Sequence, residues 1–338
     1  MVRLNILDYS PIDEGIHARQ ALLQTTELAK HAERLGYHRF WVAEHHQVFS
    51  LAASTPEMLM MHIAASTESM RIGSGGVMLP HYSPYKVAEN FRMLEALHPN
   101  RIDLGIGRSP SFRIVNKALN ETKEKRLPYE QQVDDLYKYL TDDKTSDHRF
   151  QNLIATPIID TVPDIWMLGS GTGSAKIASA KGAAFAYAHF ANPSGDGIEI
   201  VQNYRNHFQP SSLLEQPQVM IAVFAIIAET AEEAEEIAKA FDLWLLFVES
   251  AHQPPYYPSI ATAKNRGLSA VEKEKVKKNR NRVIVGDAPQ VKAEIEHIAD
   301  LYQADEIMII PNFFGADNRL KGIDLLANAF GLEPRGNW

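Results

Sequence analysis

Short apolar runs alternate with amphipathic helical stretches along most of this chain. Eight runs have the length and apolar content of buried strands, at residues 4–9, 39–43, 71–79, 101–106, 164–168, 184–189, 219–228 and 306–310. Apolar residues at helical spacing follow most of these runs, as in 18–35 and 84–97. Repeated strand–helix units favour a parallel sheet. Eight units favour closure into a (β/α)8 TIM barrel of the α/β class, with an open doubly wound sheet as the alternative.

The alternation lapses in two places, which we predict to be insertions in a single domain over 1–338. The first covers about 108–163, with a long loop over 108–128, a helix over 129–140 and a short strand near Leu153. The second covers 250–282, which is rich in Pro and Tyr and then in basic residues. Its length is typical of a mobile lid over an active site, and a surface decoration is the alternative.

Charge and composition argue against several classes of protein. The net charge of −8 argues against binding to nucleic acid or to an anionic membrane. The absence of cysteine excludes disulfides, thiolate catalysis and cysteine metal sites. The first residues have the pattern of a strand and not of a signal peptide, and no apolar run is long enough to span a bilayer. We therefore predict a soluble cytoplasmic protein.

Polar residues and glycines follow several predicted strands, at the ends that form the active site of such a barrel. Within 70–84, the third strand breaks at Ser74, Gly75 and Gly76 before it resumes. Two adjacent glycines at this position allow a flat ligand or another backbone to approach closely. A β-bulge or a tight turn is the simpler alternative.

The sequence Glu44-His45-His46 follows the second strand. Because neighbouring residues of a strand face opposite sides, we expect only one of the two histidines to face the pocket. The chain has no HExxH pattern, so we expect no metal and interpret this histidine as a general acid or base. A histidine that hydrogen-bonds a neighbouring loop is the alternative.

Two further features suit a phosphate group. The loop 169–174, Gly-Ser-Gly-Thr-Gly-Ser, lies between a strand and a helix, where backbone N–H groups bind anions. It resembles the dinucleotide pattern GxGxxG, but Ser174 replaces the third glycine and the unit comes fifth. A single phosphate held by Ser170, Gly171 and Ser174 therefore fits better, with a plain helix cap as the alternative. Arg108 follows the fourth strand and has the charge to pair with that phosphate, or to form a salt bridge across the barrel mouth.

Four segments together resemble the bacterial luciferase-like flavin monooxygenases, and especially their non-luminescent branch. They are FWVAEHH (40–46), the long block over 50–109, WMLGSGTGS (166–174) and FAYAHFANP (185–193). The resemblance implies a (β/α)8 barrel that binds reduced FMN, or in one branch the deazaflavin F420, at its C-terminal face.

The resemblance also implies roles for individual positions. Gly75 and Gly76 fall where the family has a non-prolyl cis peptide under the flavin ring, and His45 aligns with the histidine that assists catalysis in luciferase α subunits. Gly107 stands where those subunits have a reactive cysteine, which argues against light emission. The segment 250–282 corresponds to the luciferase mobile loop. The residues in segments that hold the flavin phosphate are Arg108, Ser170, Gly171 and Ser174.

The resemblance further predicts a reaction and partners. We expect a flavin-dependent monooxygenase that uses reduced FMN and O₂ to oxidise a small organic substrate, such as an aldehyde or another carbonyl compound. A separate reductase would supply the reduced flavin. The helices after the second and third strands would form a homodimer interface. The apolar residues that suit this interface, and that core packing explains as well, are Met58, Leu59, Met60, Met61 and Ile63.

Three alternative functions stay open at this point. An F420-dependent dehydrogenase or reductase would share the fold, and so would a flavin-binding protein without turnover. A metal-dependent barrel hydrolase is the third alternative.

Overall fold

The computed structural model describes residues 2–109, 111–123, 127–143, 148–150, 152–193, 195–250 and 253–335, so parts of both predicted insertions lie outside the described residues. The strands are β1 (Arg3–Asp8), β2 (Arg39–Val42), β3 (Arg71–Ser74), β4 (Val77–Met78), β5 (Ile102–Gly107), β6 (Asp164–Gly169), β7 (Ala184–Ala188), β8 (Val219–Ala228), β9 (Val283–Asp287) and β10 (Glu306–Ile310). The α-helices are α1 (Ala18–Leu35), α2 (Pro56–Ala64), α3 (Pro84–Leu97), α4 (Arg113–Leu119), α5 (Tyr129–Thr141), α6 (Thr172–Lys181), α7 (Gly197–Asn206), α8 (Ala231–Val248), α9 (Ile260–Arg266), α10 (Ala270–Asn279), α11 (Ala288–Tyr302) and α12 (Ala316–Phe330). Short 3₁₀ helices cover Leu79–His81, His189–Ala191 and Arg280–Arg282.

Eight of these strand positions close into a barrel. All pairings between the named strands are parallel, and the order runs β1, β2, β3, β5, β6, β7, β8, β10 and back to β1. Closure is made by β10, where Glu306 lies opposite Arg3 of β1 and opposite Met220 of β8. The two-residue strand β4 follows β3 and pairs with β5. The predicted (β/α)8 barrel is therefore confirmed, and the open sheet is wrong.

Alternate side chains of the strands pack on opposite faces of the sheet. On β8, Val223 and Ala225 pack outward in the core beneath the helices, while Phe224 and Ile226 belong to the core inside the barrel. The interior is therefore a packed core rather than a pore, and ligands can approach only at the strand ends.

A buried network of charges closes the N-terminal end of the barrel. Arg39 of β2 donates from Nε to Glu306 Oε2 (2.9 Å) and from Nη1 to Asp103 Oδ1 (2.7 Å). Both carboxylates are fully buried, and Trp41 Nε1 donates to Asp103 Oδ2 at 2.8 Å. Burial opposes the charge of Arg39, but the two carboxylates more than offset this and raise its pKa. The network ties β2, β5 and β10 together.

The structure differs from the sequence prediction within the insertions. The loop predicted over 108–128 contains the helix α4, and no strand forms near Leu153 in the described residues. The predicted insertion over 250–282 contains α9 and α10. The strand β9 follows it, and the sequence pattern does not predict this strand. β9 is not one of the barrel strands. It pairs with the C-terminal half of β8, from Val283 opposite Phe224 to Asp287 opposite Ala228.

Above the barrel, α8 packs on the wall that β8 and β9 form. Phe241 and Trp244 of α8 share the interior core with Phe224, and the ring centroids of Phe224 and Phe241 are 5.3 Å apart. Trp244 Nε1 donates to Ser50 Oγ in the loop after β2 at 3.1 Å, and the Tyr257 ring stacks on Trp244. The helix α8 and the segment around Tyr257 therefore cover one side of the barrel mouth, the opening at the C-terminal ends of the strands.

Candidate functional site

The break between β3 and β4 presents two glycines at the barrel mouth. The peptide bond between Gly75 and Gly76 is cis, as the family resemblance predicts. A Cβ on Gly75 would lie 2.8 Å from Leu7 Cδ1, and one on Gly76 would lie 2.7 Å from the carbonyl oxygen of Gly105. The Gly76 position therefore excludes larger residues, whereas at Gly75 the Leu7 side chain would have to shift, and the strand end presents bare backbone.

Glu44 connects the histidine segment to the residues that follow the cis peptide. Its carboxylate accepts hydrogen bonds from the Met78 N–H (2.8 Å) and the Tyr82 hydroxyl (2.6 Å), and it lies 2.7 Å from His46 Nε2. Burial and the bond to Glu44 raise the pKa of Tyr82, so its hydroxyl stays protonated and donates at neutral pH. His46 is therefore paired with the Glu44 carboxylate, whereas His45 has no carboxylate partner in the described residues.

His45 lies directly after β2 beside the ring of Tyr9, with the ring centroids 4.5 Å apart in an edge-to-face arrangement. Its backbone N–H donates to the carbonyl of Ala53 at 2.9 Å. The side-chain Nδ1 is buried and has no hydrogen-bond partner in the described part of the chain. Burial, with a smaller contribution from the charge of His46, lowers the pKa of His45 to about 4. At neutral pH the ring is therefore uncharged and able to accept a proton.

An aromatic wall, formed by Tyr9, Phe224 and Phe190, continues from His45 along the mouth. The ring centroids of Tyr9 and Phe224 are 5.9 Å apart, and those of Phe224 and Phe190 are 4.7 Å apart. Tyr9 follows β1, Phe190 follows β7, and Phe224 lies in the middle of β8 opposite Ile310 of β10, so their contact depends on barrel closure. The wall provides an apolar surface for the carbon skeleton of a ligand.

At the ends of β5 and β6, Arg108 lies over the glycine loop that begins α6. A Cβ on Gly173 would lie 2.9 Å from Arg108 Nη1, so the guanidinium covers this position. Arg108 is exposed and has no ion pair or hydrogen bond within the described ranges, so the salt-bridge alternative is not observed there. The helix α6 begins after Gly171 without a side-chain cap, which leaves its first N–H groups available to an anion.

The remaining residues predicted for the phosphate surround the same loop. Ser170 and Gly171 are half-buried, and a Cβ on Gly171 would meet no atom within 4 Å, so this part of the loop borders open space. Ser174 is buried, and its Oγ packs against Gly169 at the end of β6. The structure thus brings these residues and Arg108 to one place.

Tyr129, at the start of α5, is a candidate site residue that the sequence pattern does not single out. Its hydroxyl is buried without a hydrogen-bond partner in the described residues. Burial raises its pKa, and the nearby charge of Arg108 offsets part of the rise. A buried hydroxyl without a partner costs free energy unless a ligand completes its hydrogen bonds. Only the position of Tyr129 after Pro128, at a helix start, gives a signal in the sequence, and that signal does not point to a site.

The described residues hold neither a cluster of metal ligands nor a membrane-spanning helix. No group of three or more His, Cys, Asp or Glu side chains there could hold a metal ion. No helix in these parts of the chain is long and apolar enough to cross a membrane. The features that could hold a ligand in the described mouth are thus donors, glycines, an uncharged histidine and an aromatic wall.

Comparison with known proteins assigns the family. The model of the luciferase-like monooxygenase family matches residues 2–304. YwcH of Bacillus subtilis (strain 168) is 46% identical over 98% of this chain and 99% of its own length, and the N-acetyl-S-alkylcysteine monooxygenase of the same strain is 36% identical over 97% and 98%. The crystal structure of apo-MsnO8 matches with a TM-score of 0.89 at 34% identity, and covers 99% of both chains. The chain therefore belongs to the luciferase-like monooxygenase family, a class of oxygen-using oxidoreductases.

More distant solved structures share the fold. The oxygenating constituent of 3,6-diketocamphane monooxygenase from Pseudomonas putida, in complex with FMN, matches with a TM-score of 0.68 at 15% identity over 97% of this chain and 98% of its own. The coenzyme F420-dependent tetrahydromethanopterin reductase from Methanopyrus kandleri matches with a TM-score of 0.64 at 14% identity over 95% and 97%. Neighbours of this fold therefore include proteins that use FMN and proteins that use F420.

Proposed function

We propose that this protein is a flavin-dependent monooxygenase that uses reduced FMN and O₂ to oxidise a small organic substrate, such as an aldehyde or another carbonyl compound. Its place in the luciferase-like monooxygenase family supports the class of reaction. We choose flavin mononucleotide because several hydrogen-bond donors at one end of the mouth have no acceptor in the described residues and would suit its phosphate. These donors are Arg108, the Tyr129 hydroxyl and the first N–H groups of α6.

The residues present fit FMN along the mouth. The Arg108 guanidinium, the Ser170 and Gly171 backbone at the start of α6 and the Tyr129 hydroxyl would hold the phosphate. The bare backbone at Gly75 and Gly76 would support the ring, because glycine lets a flat ligand approach the backbone closely. Reduced FMN, when bound, supplies the electrons for the reduction of O₂.

His45 and the aromatic wall have separate tasks in this proposal. The ring of His45 is uncharged at neutral pH and moves a proton at the reacting group, and its low pKa favours rapid return of that proton. Tyr9, Phe224 and Phe190 exclude water and carry the apolar part of the substrate. A Cβ on Gly107 would meet no atom within 4 Å, so the mouth has free space at this position.

An anaerobic titration tests the proposal. Protein freed of flavin is titrated with FMN, reduced FMN, riboflavin and F420, and is then exposed to air with and without a panel of aldehydes. We expect reduced FMN to bind and O₂ to be consumed in a substrate-dependent manner. Arg108→Met should weaken FMN binding about tenfold or more and Tyr129→Phe about threefold, because charge-assisted hydrogen bonds to phosphate are the stronger ones.

Riboflavin is the matched control ligand because it lacks the phosphate, so its affinity should change little in either variant. Arg266→Met is the control variant, since Arg266 pairs with Glu272 on the surface. Failure of every flavin to bind would reject the proposal. Preference for F420 without O₂ consumption would select an F420-dependent dehydrogenase or reductase. FMN binding without substrate-dependent O₂ consumption would select a flavin-binding protein.

A further part of the proposal concerns the source of the reduced flavin. We expect a separate reductase to supply it, so NADH alone should not reduce FMN in the presence of this protein. Addition of a purified NADH:flavin reductase should start O₂ consumption. Reduction of FMN by NADH without the second enzyme would contradict this expectation.

A homodimer through α2 and α3 completes the proposal. Of the apolar α2 residues, Met60 and Ile63 are buried in the core, whereas Met58 is 73% exposed. On α3, Met93 and Leu97 are exposed as well. We expect the protein to sediment as a dimer and Met58→Asp to weaken the dimer at least tenfold, because the charge would enter an apolar interface. Val271→Asp, on the exposed helix α10, is the control, and a monomeric parent protein would contradict the proposal.

A further inference from the structure

A groove between the neighbouring helices α6 and α7 begins at the glycine loop that we propose for the flavin phosphate. Its cavity of about 570 Å³ lies between the facing sides of the two helices. At one end it is lined by Thr172, which is the first residue of α6 and a member of the loop 169–174. The groove therefore adjoins the place where Arg108 covers Gly173 and the first N–H groups of α6 are available. A ligand that continues beyond this phosphate can enter it.

The groove has an apolar floor. Ile200 and Tyr204 of α7 line it and are buried. The Tyr204 hydroxyl donates to the carbonyl oxygen of Ala183 at 2.8 Å, which fixes the position of the ring. From Thr172 to Ser179, the residues of α6 that line the groove recur at helical spacing over about 10 Å of the helix axis. The groove therefore suits an elongated ligand that has a flat apolar part.

One cation at the rim of the groove has no partner in the described residues. Lys176 lies one turn after Thr172 on the same side of α6, is exposed, and forms no ion pair or hydrogen bond there. Lys181 of the same helix, by contrast, pairs with Asp134. Side chains of an α-helix lean toward its N-terminus, so Lys176 extends toward the phosphate loop. None of the described residues that line the groove is a carboxylate. The charge of the groove therefore favours a second anionic group next to the first phosphate.

We propose that the groove between α6 and α7 is a binding site for the adenylate half of a flavin dinucleotide, so that the protein also accepts FAD. Lys176 pairs with the second phosphate, and the flat adenine lies on the apolar floor beside Ile200 and Tyr204. The inference rests on the proposed function, because it starts from the same flavin phosphate. It concerns the binding of the cofactor and adds no step to the reaction.

Two flavins that differ only in the adenylate test the groove. FMN and FAD are titrated calorimetrically into the full chain freed of flavin, and we expect FAD to bind at least tenfold more tightly than FMN. Lys176→Met should weaken FAD binding about tenfold and FMN binding less than twofold, because the lost charge-assisted contact involves only the second phosphate. Lys176→Glu should weaken FAD binding further, since it places a carboxylate at the rim.

Lys181→Met is the matched control, because it removes a cation of the same helix that does not line the groove, and both affinities should stay unchanged. Equal affinities for FMN and FAD, or binding of FMN alone, would overturn the groove assignment and leave the flavin site standing. Equal weakening of both flavins in Lys176→Met would also overturn it, and would assign Lys176 to the first phosphate. Failure of both flavins to bind would instead reject the proposed function.

Discussion

Replacement of His45 by alanine is expected to reduce substrate-dependent turnover at least a hundredfold and to change FMN affinity less than twofold. A positioned general base commonly contributes a factor of this size. The imidazole is uncharged at neutral pH and its Nδ1 has no protein partner in the described residues, so its removal deletes a proton acceptor without unpairing a carboxylate. The measurement is O₂ consumption and stopped-flow reoxidation of reduced FMN, with the best substrate from the panel.

The pH profile gives a second readout of the same residue. Because burial lowers the pKa of His45 to about 4, its ring stays unprotonated from pH 5 upward. The kcat of the parent protein should therefore show no rise near pH 6.5 caused by this histidine. His31→Ala is the control, since His31 pairs with Asp324 between α1 and α12. Loss of FMN binding in His45→Ala would instead indicate a structural role.

Replacement of Arg39 by methionine is expected to lower the free energy of unfolding by about 3–5 kcal/mol, because it leaves buried carboxylates without their main partner. Arg39 is only 3% exposed, and Asp103 and Glu306 are fully buried. Removing one member of a buried ion pair costs more than the pair contributes, since the remaining charge stays desolvated. Urea unfolding followed by tryptophan fluorescence measures the change.

The same network supplies a matched control. Arg3 also pairs with Glu306, at 2.9 Å, but its side chain is 48% exposed. Arg3→Met should therefore cost less than about 1 kcal/mol. Arg39→Lys keeps the charge and loses the planar fork, so an intermediate loss is expected. Equal losses in Arg39→Met and Arg3→Met would show that burial of the network does not determine its contribution.

The eight barrel strands could be predicted because each is a short apolar run that is buried on both faces, as on β8. The strand β9 could not be recognised in the same way. Val283, Ile284 and Val285 are only half-buried, and their partner is the end of a strand about sixty residues earlier. This pairing depends on how far β8 extends beyond the barrel, and the local sequence pattern does not predict that length.

Some residues of the candidate site could likewise be predicted from the sequence, and others could not. Residues directly after strands, such as His45, Gly75 and Arg108, could be singled out because barrel topology fixes where strand ends meet. Tyr129 could not, because it lies within the electrostatic influence of Arg108 and comes from an insertion whose path the strand–helix pattern does not determine. The role of Glu44 was also hidden. Its position after β2 is evident, but its bond to Tyr82 forms only when the segment after the cis peptide folds back.

The shared carboxylate of Glu44 has a consequence for protein engineering. One side chain orients His46, anchors the backbone at Met78 and receives the Tyr82 hydroxyl, so a substitution at position 44 disturbs two walls of the mouth at once. Libraries that aim to broaden substrate range should therefore hold this position constant. Phe190 is a better target for randomisation, because its ring is only half-buried at the mouth and its side chain forms no such hydrogen bonds in the described residues.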